Sequence, residues 1–149
     1  MSGYSHRQDK PGRLGQHPVY AQTSNVGTTT LTANTTTDFY ITAVPNRAAW
    51  IERISFGCST VAVDSDGTTT AIVSKLRNGT DATALCSAFS VEGLTALVQS
   101  NATLVSTLTP AQRRHKAGDV YRVRVTNSSA AIDTQPIDLN CTVELALID

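Results

Sequence analysis

The chain has little charge and few aromatic side chains. Charged residues fill 16% of its 149 positions and aromatic residues 5%, and twelve Lys and Arg balance twelve Asp and Glu. A protein that binds nucleic acid through bulk charge needs an excess of cations, which this chain lacks. A charged disordered tail is also excluded, because 40% of the residues are apolar and can build a core. No apolar run reaches the roughly 18 residues of a membrane-spanning helix.

Lysine and glutamate are rare, whereas threonine is abundant. The sequence contains three Lys, three Glu and 22 Thr. Lys and Glu commonly cover helix surfaces, while Thr, Val and Ile fit the pleated, half-buried surface of a sheet. The composition therefore predicts an all-β protein, and the length suits one domain.

Cysteine and histidine are too scattered to indicate a metal site. Cys58, Cys86 and Cys141 are odd in number and show no CxxC spacing, and the histidines are His6, His17 and His115. We expect buried free thiols in a reducing cytoplasm, with no metal and no cofactor; one disulfide plus a spare thiol is the alternative. The N-terminus has no apolar segment typical of a secretory signal. We therefore expect the five Asn-x-Ser/Thr sequons to stay unmodified.

Residues 1–24 differ from the rest of the chain. They are rich in Gly, Pro and basic residues and show neither helical nor strand periodicity. One interpretation is a disordered terminus. The other is an extended arm that orders on a partner, because apolar and basic side chains recur along it at intervals. The arm residues that we expect to contact the partner are Tyr4, Arg7, Lys10, Arg13, Leu14 and Tyr20.

Residues 25–149 show the periodicity of short strands. Asn78-Gly79 is a strong hairpin signal, and 64–67 and 117–119 predict turns. Two segments stay ambiguous between a helical turn and strands: 91–109 and 111–116. The predicted strands are 28–33, 38–44, 50–58, 69–77, 83–89, 120–126 and 137–147.

The final strand has the clearest pattern. Every odd position from 137 to 147 is apolar, and the even positions are polar as far as Glu144. A shift of one residue would expose six core side chains, each stabilising by roughly 1.5–3 kcal/mol when buried. Strands at this spacing without crossover helices predict an antiparallel β-sandwich, a jelly roll first and another Greek-key sandwich second.

No motif indicates catalysis. The sequence lacks GxSxG, HExxH, P-loop and GxGxxG patterns, and its carboxylates are scattered over turns and polar strand faces. His115 lies among cations that favour its neutral form, and we expect it to be a solvated loop residue. The interpretation is that the chain is not an enzyme, although a carboxylate pair that meets only in space stays open.

One basic cluster stands out in the folded part: Arg113, Arg114, Lys116, Arg122 and Arg124. Three interpretations compete, namely a solvated surface, a patch that docks on an acidic protein surface, and a nucleic-acid contact. The third is disfavoured because the domain has no basic excess and no row of stacking aromatics. Arg122 and Arg124 are alternatively expected to pair with Asp138 or Glu144 if those strands are neighbours.

The arm of 1–22, the turn at 117–119 leading into 120–126, and the alternating strand of 137–147 together resemble the head decoration, or cement, proteins of tailed bacteriophages. The resemblance is one of pattern and covers most of the chain. It implies a small all-β subunit, often a trimer, that binds the major capsid protein on the outside of the virion. It also implies an arm that reaches across the shell. We expect synthesis in the host cytoplasm and no nucleic-acid or membrane partner.

Two other classes of protein remain open. A carbohydrate- or receptor-binding module of a phage tail or fibre would share the fold but needs several exposed aromatics on one face. Trp50 is a single weak candidate and is more typical of a core or subunit interface. A small cupin-like enzyme would need converging His and Glu ligands, which three histidines, two of them in the arm, do not supply.

Overall fold

The computed structural model describes residues 18–23, 31–42, 46–78, 80–130 and 132–148. These residues form ten strands and one short helical turn. The elements are β1 (Pro18–Thr23), β2 (Thr36–Ile41), β3 (Ala49–Gly57), β4 (Thr69–Arg77), β5 (Asp81–Ala84), β6 (Phe89–Ser90), β7 (Ser100–Ala102), α1 (Pro110–Arg113), β8 (Arg114–His115), β9 (Asp119–Asn127) and β10 (Asn140–Leu147).

The strands make two antiparallel sheets. The first has the order β1-β10-β3-β7, with β8 also paired to β3, and the second has the order β2-β9-β4-β5, with β6 also paired to β4. The apolar faces of both sheets supply one common core. The prediction of an antiparallel β-sandwich is confirmed, while the jelly-roll arrangement stays a prediction.

Alternation along β9 and β10 builds the centre of that core. Tyr121, Val123 and Val125 on β9 are buried, as are Cys141, Val143 and Leu145 on β10. The residues between them are half-buried on the outer faces. The period-two prediction for these two strands is confirmed, because each strand buries one face only.

The final strand begins later than its sequence pattern indicates. β10 starts at Asn140, whereas Ile137 is 49% exposed and forms only an isolated bridge with Thr60. Asp138 has a φ of 52°, in the left-handed region, which interrupts the extended chain before the strand begins. The prediction that Ile137 is a core residue of a strand over 137–147 is therefore wrong.

A bulge in β3 changes the alternation there. Glu144 pairs with Arg53 and Leu145 with Ile51, so Glu52 is the extra residue on β3. The bulge allows Ile51 and Ile54, three positions apart, both to face the core. Phe56 and Cys58, at alternate positions after Ile54, are buried as well.

Other strand predictions differ in detail. The return strand expected over 83–89 is divided into β5 and β6, which both pair with β4. Residues 31–33 form no strand, since a turn follows in which Asn34 has a φ of 51°; residues 28–30 lie outside the described residues. The ambiguous segment 91–109 contributes only β7, and 111–116 contributes both the end of α1 and β8.

The last part of the predicted arm belongs to the first sheet. β1 pairs with β10 over six residues, from Pro18 opposite Ala146 to Thr23 opposite Cys141. A strand at a sheet edge is held by backbone hydrogen bonds on one side, so it needs no alternation of apolar residues. This explains why the sequence shows no strand periodicity there.

Both sheets run between the same two ends of the sandwich. At one end β3 begins at Ala49, which pairs with His115, and His115 contacts Tyr121 near the start of β9. At the other end Phe56, near the close of β3, stacks on Phe89 with ring centroids 4.9 Å apart. Nine residues of β3 separate the two ends, a distance of roughly 26 Å.

Candidate binding surface

Large apolar side chains are exposed at one end of the sandwich. The described residues include five exposed large hydrophobic side chains, and four of them belong to loops at the Gly57 end of β3. The Leu97 N–H donates to the Cys58 carbonyl at 2.8 Å, Ile137 bridges Thr60, and Val63 bridges Thr134. We call this surface the apolar end; its residues are Val63, Leu97, Val98 and Ile137.

Leu97 combines exposure with backbone strain. Its side chain is 84% exposed, and its φ is 62°. A non-glycine residue in a sparsely populated backbone region costs about 1–3 kcal/mol, and such positions concentrate at functional sites. A leucine held outward in this conformation gains nothing from burial within the chain. The exposure and the strain together make Leu97 a candidate contact residue.

The loop that carries Leu97 and Val98 is fixed to the outer face of the first sheet. Gln99 Nε2 donates to Asn140 Oδ1 at 2.7 Å, and the Gln99 side chain crosses Gly57. A Cβ atom at Gly57 would lie 2.3 Å from Gln99 Nε2. The missing side chain at Gly57 therefore leaves room for the contact that positions this loop.

A buried polar network holds the neighbouring loops. Asn127 Nδ2 donates to Thr69 Oγ1 at 3.1 Å and to Asp64 Oδ2 at 3.3 Å. Asn127 Oδ1 accepts from the backbone N–H and the hydroxyl of Ser129, each at 2.9 Å. Because every polar atom of the Asn127 amide has a partner, the network defines the positions of 64–69 and 127–129.

The charged side chains around the apolar end are acidic. Segments 58–70, 94–104 and 127–140 contain four Asp and no Lys, Arg or His. Asp138 accepts from Ser59 Oγ at 2.7 Å, and Asp133 accepts from the Ser65 N–H at 2.9 Å. These Ser65 hydrogen bonds lower the pKa of Asp133. The four carboxylates are Asp64, Asp66, Asp133 and Asp138.

The opposite end contains a buried lysine. Lys75 is 6% exposed, and its ammonium donates to the Ala111 carbonyl at 3.3 Å, to the Gln112 carbonyl and to the Arg114 carbonyl at 2.7 Å. These contacts satisfy carbonyls in and just after α1. Burial lowers the pKa of Lys75. Its three donors are thus used to hold the α1–β8 segment against β4.

Arg77 and Asp119 form a second internal contact at this end. Arg77 donates to Asp119 from Nε at 2.8 Å and from Nη2 at 3.0 Å, and the Lys116 N–H donates to the same carboxylate at 2.9 Å. Burial alone would raise the pKa of Asp119, but these hydrogen bonds outweigh it and the pKa lies below its ordinary value. A recess of about 160 Å³ borders Lys75 and Arg77. This recess is smaller than most ligand pockets, which measure about 300–1,000 Å³.

His115 is buried, so the prediction of a solvated loop residue is wrong. Its side chain is 0% exposed, and Nδ1 lies 2.8 Å from the Tyr121 hydroxyl. Pairing of β8 with β3 directs Arg114 outward and His115 inward, since neighbours on a strand face opposite sides. Burial raises the pKa of Tyr121. The pair joins the two sheets across the core.

The structure places three of the five predicted docking residues at this same end. Arg114 and Lys116 are exposed. Arg113 is half-buried, lies 5.3 Å from the centre of the Trp50 ring and donates from Nε to the Ile51 carbonyl at 3.2 Å. We call Arg113, Arg114 and Lys116 the basic end.

The other two predicted docking residues lie on the outer face of the second sheet. Arg124 donates to Asp38 from Nε at 2.7 Å and from Nη2 at 2.8 Å, and Arg122 Nη1 lies 4.0 Å from the same carboxylate. The expected pairing with Asp138 or Glu144 is wrong, because β9 and β10 belong to different sheets. Glu144 instead accepts a hydrogen bond from Arg53.

The predicted arm contacts fall mostly outside the described residues. Only Tyr20 is placed, in β1 opposite Glu144. The others, Tyr4, Arg7, Lys10, Arg13 and Leu14, lie outside the residues that the structure describes.

The three cysteines are free and buried, as predicted, and the disulfide alternative is wrong. Burial raises the pKa of each thiol, most strongly at Cys141. Within the described ranges, no group of three or more His, Cys, Asp or Glu side chains could hold a metal ion. No helix in that part of the chain is long and apolar enough to span a membrane.

The apolar end is the feature that the sequence does not predict. Ile137 fits the alternation of β10 and is expected to be buried, while Leu97 with Val98 fits either a helical turn or a weak strand. One local signal was available: Pro136 has no N–H for a sheet ladder, which disfavours a central strand at this point.

Comparisons with known proteins identify no family. No family model and no curated protein matches the chain. A search of solved structures finds similarity to a chain in the structure of infectious bursal disease virus Gx strain, with a TM-score of 0.32 and 13% sequence identity. The match covers 89% of this chain and 30% of that chain. A similarity of this size supports no inference about activity or partners.

Proposed function

We propose that this chain is a non-enzymatic structural protein of a virion that binds the outer surface of a phage capsid and stabilises it. Its partners are the major capsid protein, contacted by the N-terminal arm, and further copies of itself. It is made in the host cytoplasm and resides on the capsid surface. The observation that carries the proposal is the attachment of the arm to the sandwich through β1.

The pairing of β1 with β10 fixes the C-terminal part of the arm to the sandwich. The first residue of β1, Pro18, pairs with Ala146 of β10, which in turn pairs with Trp50 of β3. Residues 1–17, which precede β1, contain three cations from Lys and Arg, namely Arg7, Lys10 and Arg13, against one Asp. A basic segment anchored to a rigid domain suits the capture of an acidic protein surface.

The ionisable side chains inside the sandwich support a structural role. Lys75, Asp119 and His115 are all buried, and each has hydrogen-bond partners within the domain. A catalytic group must reach a substrate, either directly or through one water. Ionisable groups whose hydrogen bonds hold loops and sheets together are better explained by a role in stability than by a role in catalysis.

Co-sedimentation with capsids of the encoding phage, expanded and unexpanded, tests the proposal. We expect the full chain to bind saturably and to raise the temperature at which the capsids release DNA. The variant Arg7→Gln/Lys10→Gln/Arg13→Gln should lose binding. An absence of binding to either form of capsid would contradict the proposal.

A control of equal net charge separates the arm from bulk electrostatics. The control introduces Glu at three exposed positions of the sandwich, Thr42, Ser87 and Thr107, and lowers the net charge by the same three units as the arm variant. We expect it to bind capsids like the unmodified chain. Equal loss in both variants would show that the arm has no specific role.

A further inference from the structure

Acidic and basic side chains are unequally distributed between the two ends of the domain. The acidic segments of the apolar end contain four Asp and no cation. Segments 46–50, 75–81 and 110–119, at the other end, contain six Lys and Arg and two Asp, and one of these cations, Arg77, pairs with one of the acids, Asp119. The net charge of zero is therefore a sum over two unlike surfaces.

We infer that the apolar end binds the basic end of a second copy of this chain. Val63, Leu97, Val98 and Ile137 would supply the buried centre of the contact. Asp66, Asp133 and Asp138 are exposed around that centre, and they would face Arg114 and Lys116 of the neighbouring copy.

Charge complementarity favours the basic end of another copy as the partner of the apolar end. An acidic surface opposes a second surface of its own kind, so contact between two apolar ends would place carboxylates together. The basic end of another copy offers the opposite sign, with the exposed Arg114 and Lys116 beside the exposed Pro110 and Ala111. A nearly apolar centre with an oppositely charged rim is the usual composition of a specific protein interface.

The backbone at Leu97 is an independent argument. A φ of 62° holds a leucine that is 84% exposed, whereas Asn or Gly would adopt the same conformation with less strain. The strained leucine is explained if its side chain is buried in a contact with another copy.

Contact between unlike surfaces adds copies in a series, which closes into a ring only if each step turns the next copy by a fixed fraction of a circle. The mass of the assembly distinguishes the two forms, because a ring reaches a constant mass and an open series continues to grow. This inference concerns self-association and does not depend on capsid binding.

Analytical ultracentrifugation of the full chain provides the first test. We expect a mass that rises with protein concentration. The association should weaken as salt increases from about 0.01 M to about 1 M, which shortens the Debye length from roughly 30 Å to roughly 3 Å. A chain that remains monomeric at all concentrations would overturn the inference.

Single variants locate the two surfaces. Leu97→Asn removes the apolar side chain and relieves the backbone, so it should weaken association by about tenfold or more without lowering thermal stability. Arg114→Glu should weaken association similarly. Tyr40→Asn is the matched control, because Tyr40 is also an exposed large side chain, at 52%. It lies on β2, opposite Arg122 of β9 and away from the apolar end. Equal loss in the Tyr40→Asn variant would contradict the assignment.

Mixing the two interface variants is the decisive experiment. Leu97→Asn leaves a working basic end and Arg114→Glu leaves a working apolar end. At a protein concentration at which each weakened variant alone is monomeric, an equimolar mixture of the two should form dimers and no larger species. If Arg114→Glu alone associates as well as the unmodified chain, the apolar end binds its own kind or another part of the surface, and the inference fails.

Discussion

Two aspartate–arginine pairs in this protein have similar geometry but different burial. Asp119 accepts two hydrogen bonds from Arg77, at 2.8 and 3.0 Å, and Asp38 accepts two from Arg124, at 2.7 and 2.8 Å. The Asp119 side chain is 0% exposed, whereas that of Asp38 is 25% exposed. Replacing each Asp by Asn therefore measures what burial adds to one kind of contact.

The expected losses of stability differ several-fold. Asn at position 119 keeps one acceptor oxygen and turns an NH₂ group towards donors that a carboxylate had satisfied. Removing one partner of a buried ion pair costs about 3–5 kcal/mol. The Arg77 side chain is 38% exposed and regains some hydration, so we expect about 2–4 kcal/mol for Asp119→Asn. Asp38→Asn should cost about 0–1 kcal/mol, as is usual for exposed pairs.

Urea and thermal unfolding measure both variants. A loss of about 3 kcal/mol should lower the Tm of a domain of this size by roughly 6–12 °C, whereas Asp38→Asn should shift it by at most a few degrees. Equal losses in the two variants, or a larger loss for Asp38→Asn, would refute the argument from burial.

The same carboxylates predict how stability depends on pH. The hydrogen bond from Arg124 lowers the pKa of Asp38, and the pKa of Asp119 also lies below its ordinary value of 3.8. A lowered folded-state pKa stabilises the fold above the unfolded-state pKa, and this stability is lost as pH falls through 3.8 towards the folded-state pKa. Asp119→Asn should flatten this acid-side slope, and an unchanged slope would contradict the assignment.

Three further predictions concern the core. Tyr121→Phe removes the hydroxyl beside His115 Nδ1 and should lower the free energy of unfolding by about 1–3 kcal/mol, measured by urea denaturation; no change would contradict a role for that contact. All three thiols, including Cys86, should resist alkylation in the native protein and react in denaturant, which mass spectrometry measures. Rapid labelling of the native protein would show that they are not buried. Leu145→Ala should lower the free energy of unfolding by about 2–5 kcal/mol, whereas Ile137→Thr should change it by less than about 0.5 kcal/mol. Similar losses in the two variants would show that Ile137 is a core residue.

Alternation identifies the strands of this protein well where one face packs on the core. β4 occupies Thr69–Arg77, as predicted, and β9 extends its predicted range by one residue at each end. β4 is buried on both faces from Val73 to Leu76, whereas in β9 the burial of one face sets the register. Sequence pattern is informative there because a single physical demand, burial of that face, determines which residue types are acceptable.

The same reasoning fails where backbone geometry or partner strands decide the outcome. Asp138 adopts a positive φ that its residue type permits but does not require, so the sequence could not indicate that Ile137 is exposed. His115 is among cations in sequence, yet pairing of β8 with β3 turns it inward. β1 is recognised only from its partner, β10. Each of these features depends on contacts between residues far apart in the chain.

The strand topology determines how the charges that sum to zero are distributed over the molecule. Antiparallel strands bring segments that are distant in sequence to a common end. The loops around β3's last residue, Gly57, therefore carry aspartates, while those around its first, Ala49, carry more arginines and lysines than aspartates. Neither collection is visible as a charge run along the chain. A chain of zero net charge tends to aggregate, but opposite net charges at two ends roughly 26 Å apart would give copies that associate one preferred orientation. Neutrality in this chain is therefore consistent with ordered assembly.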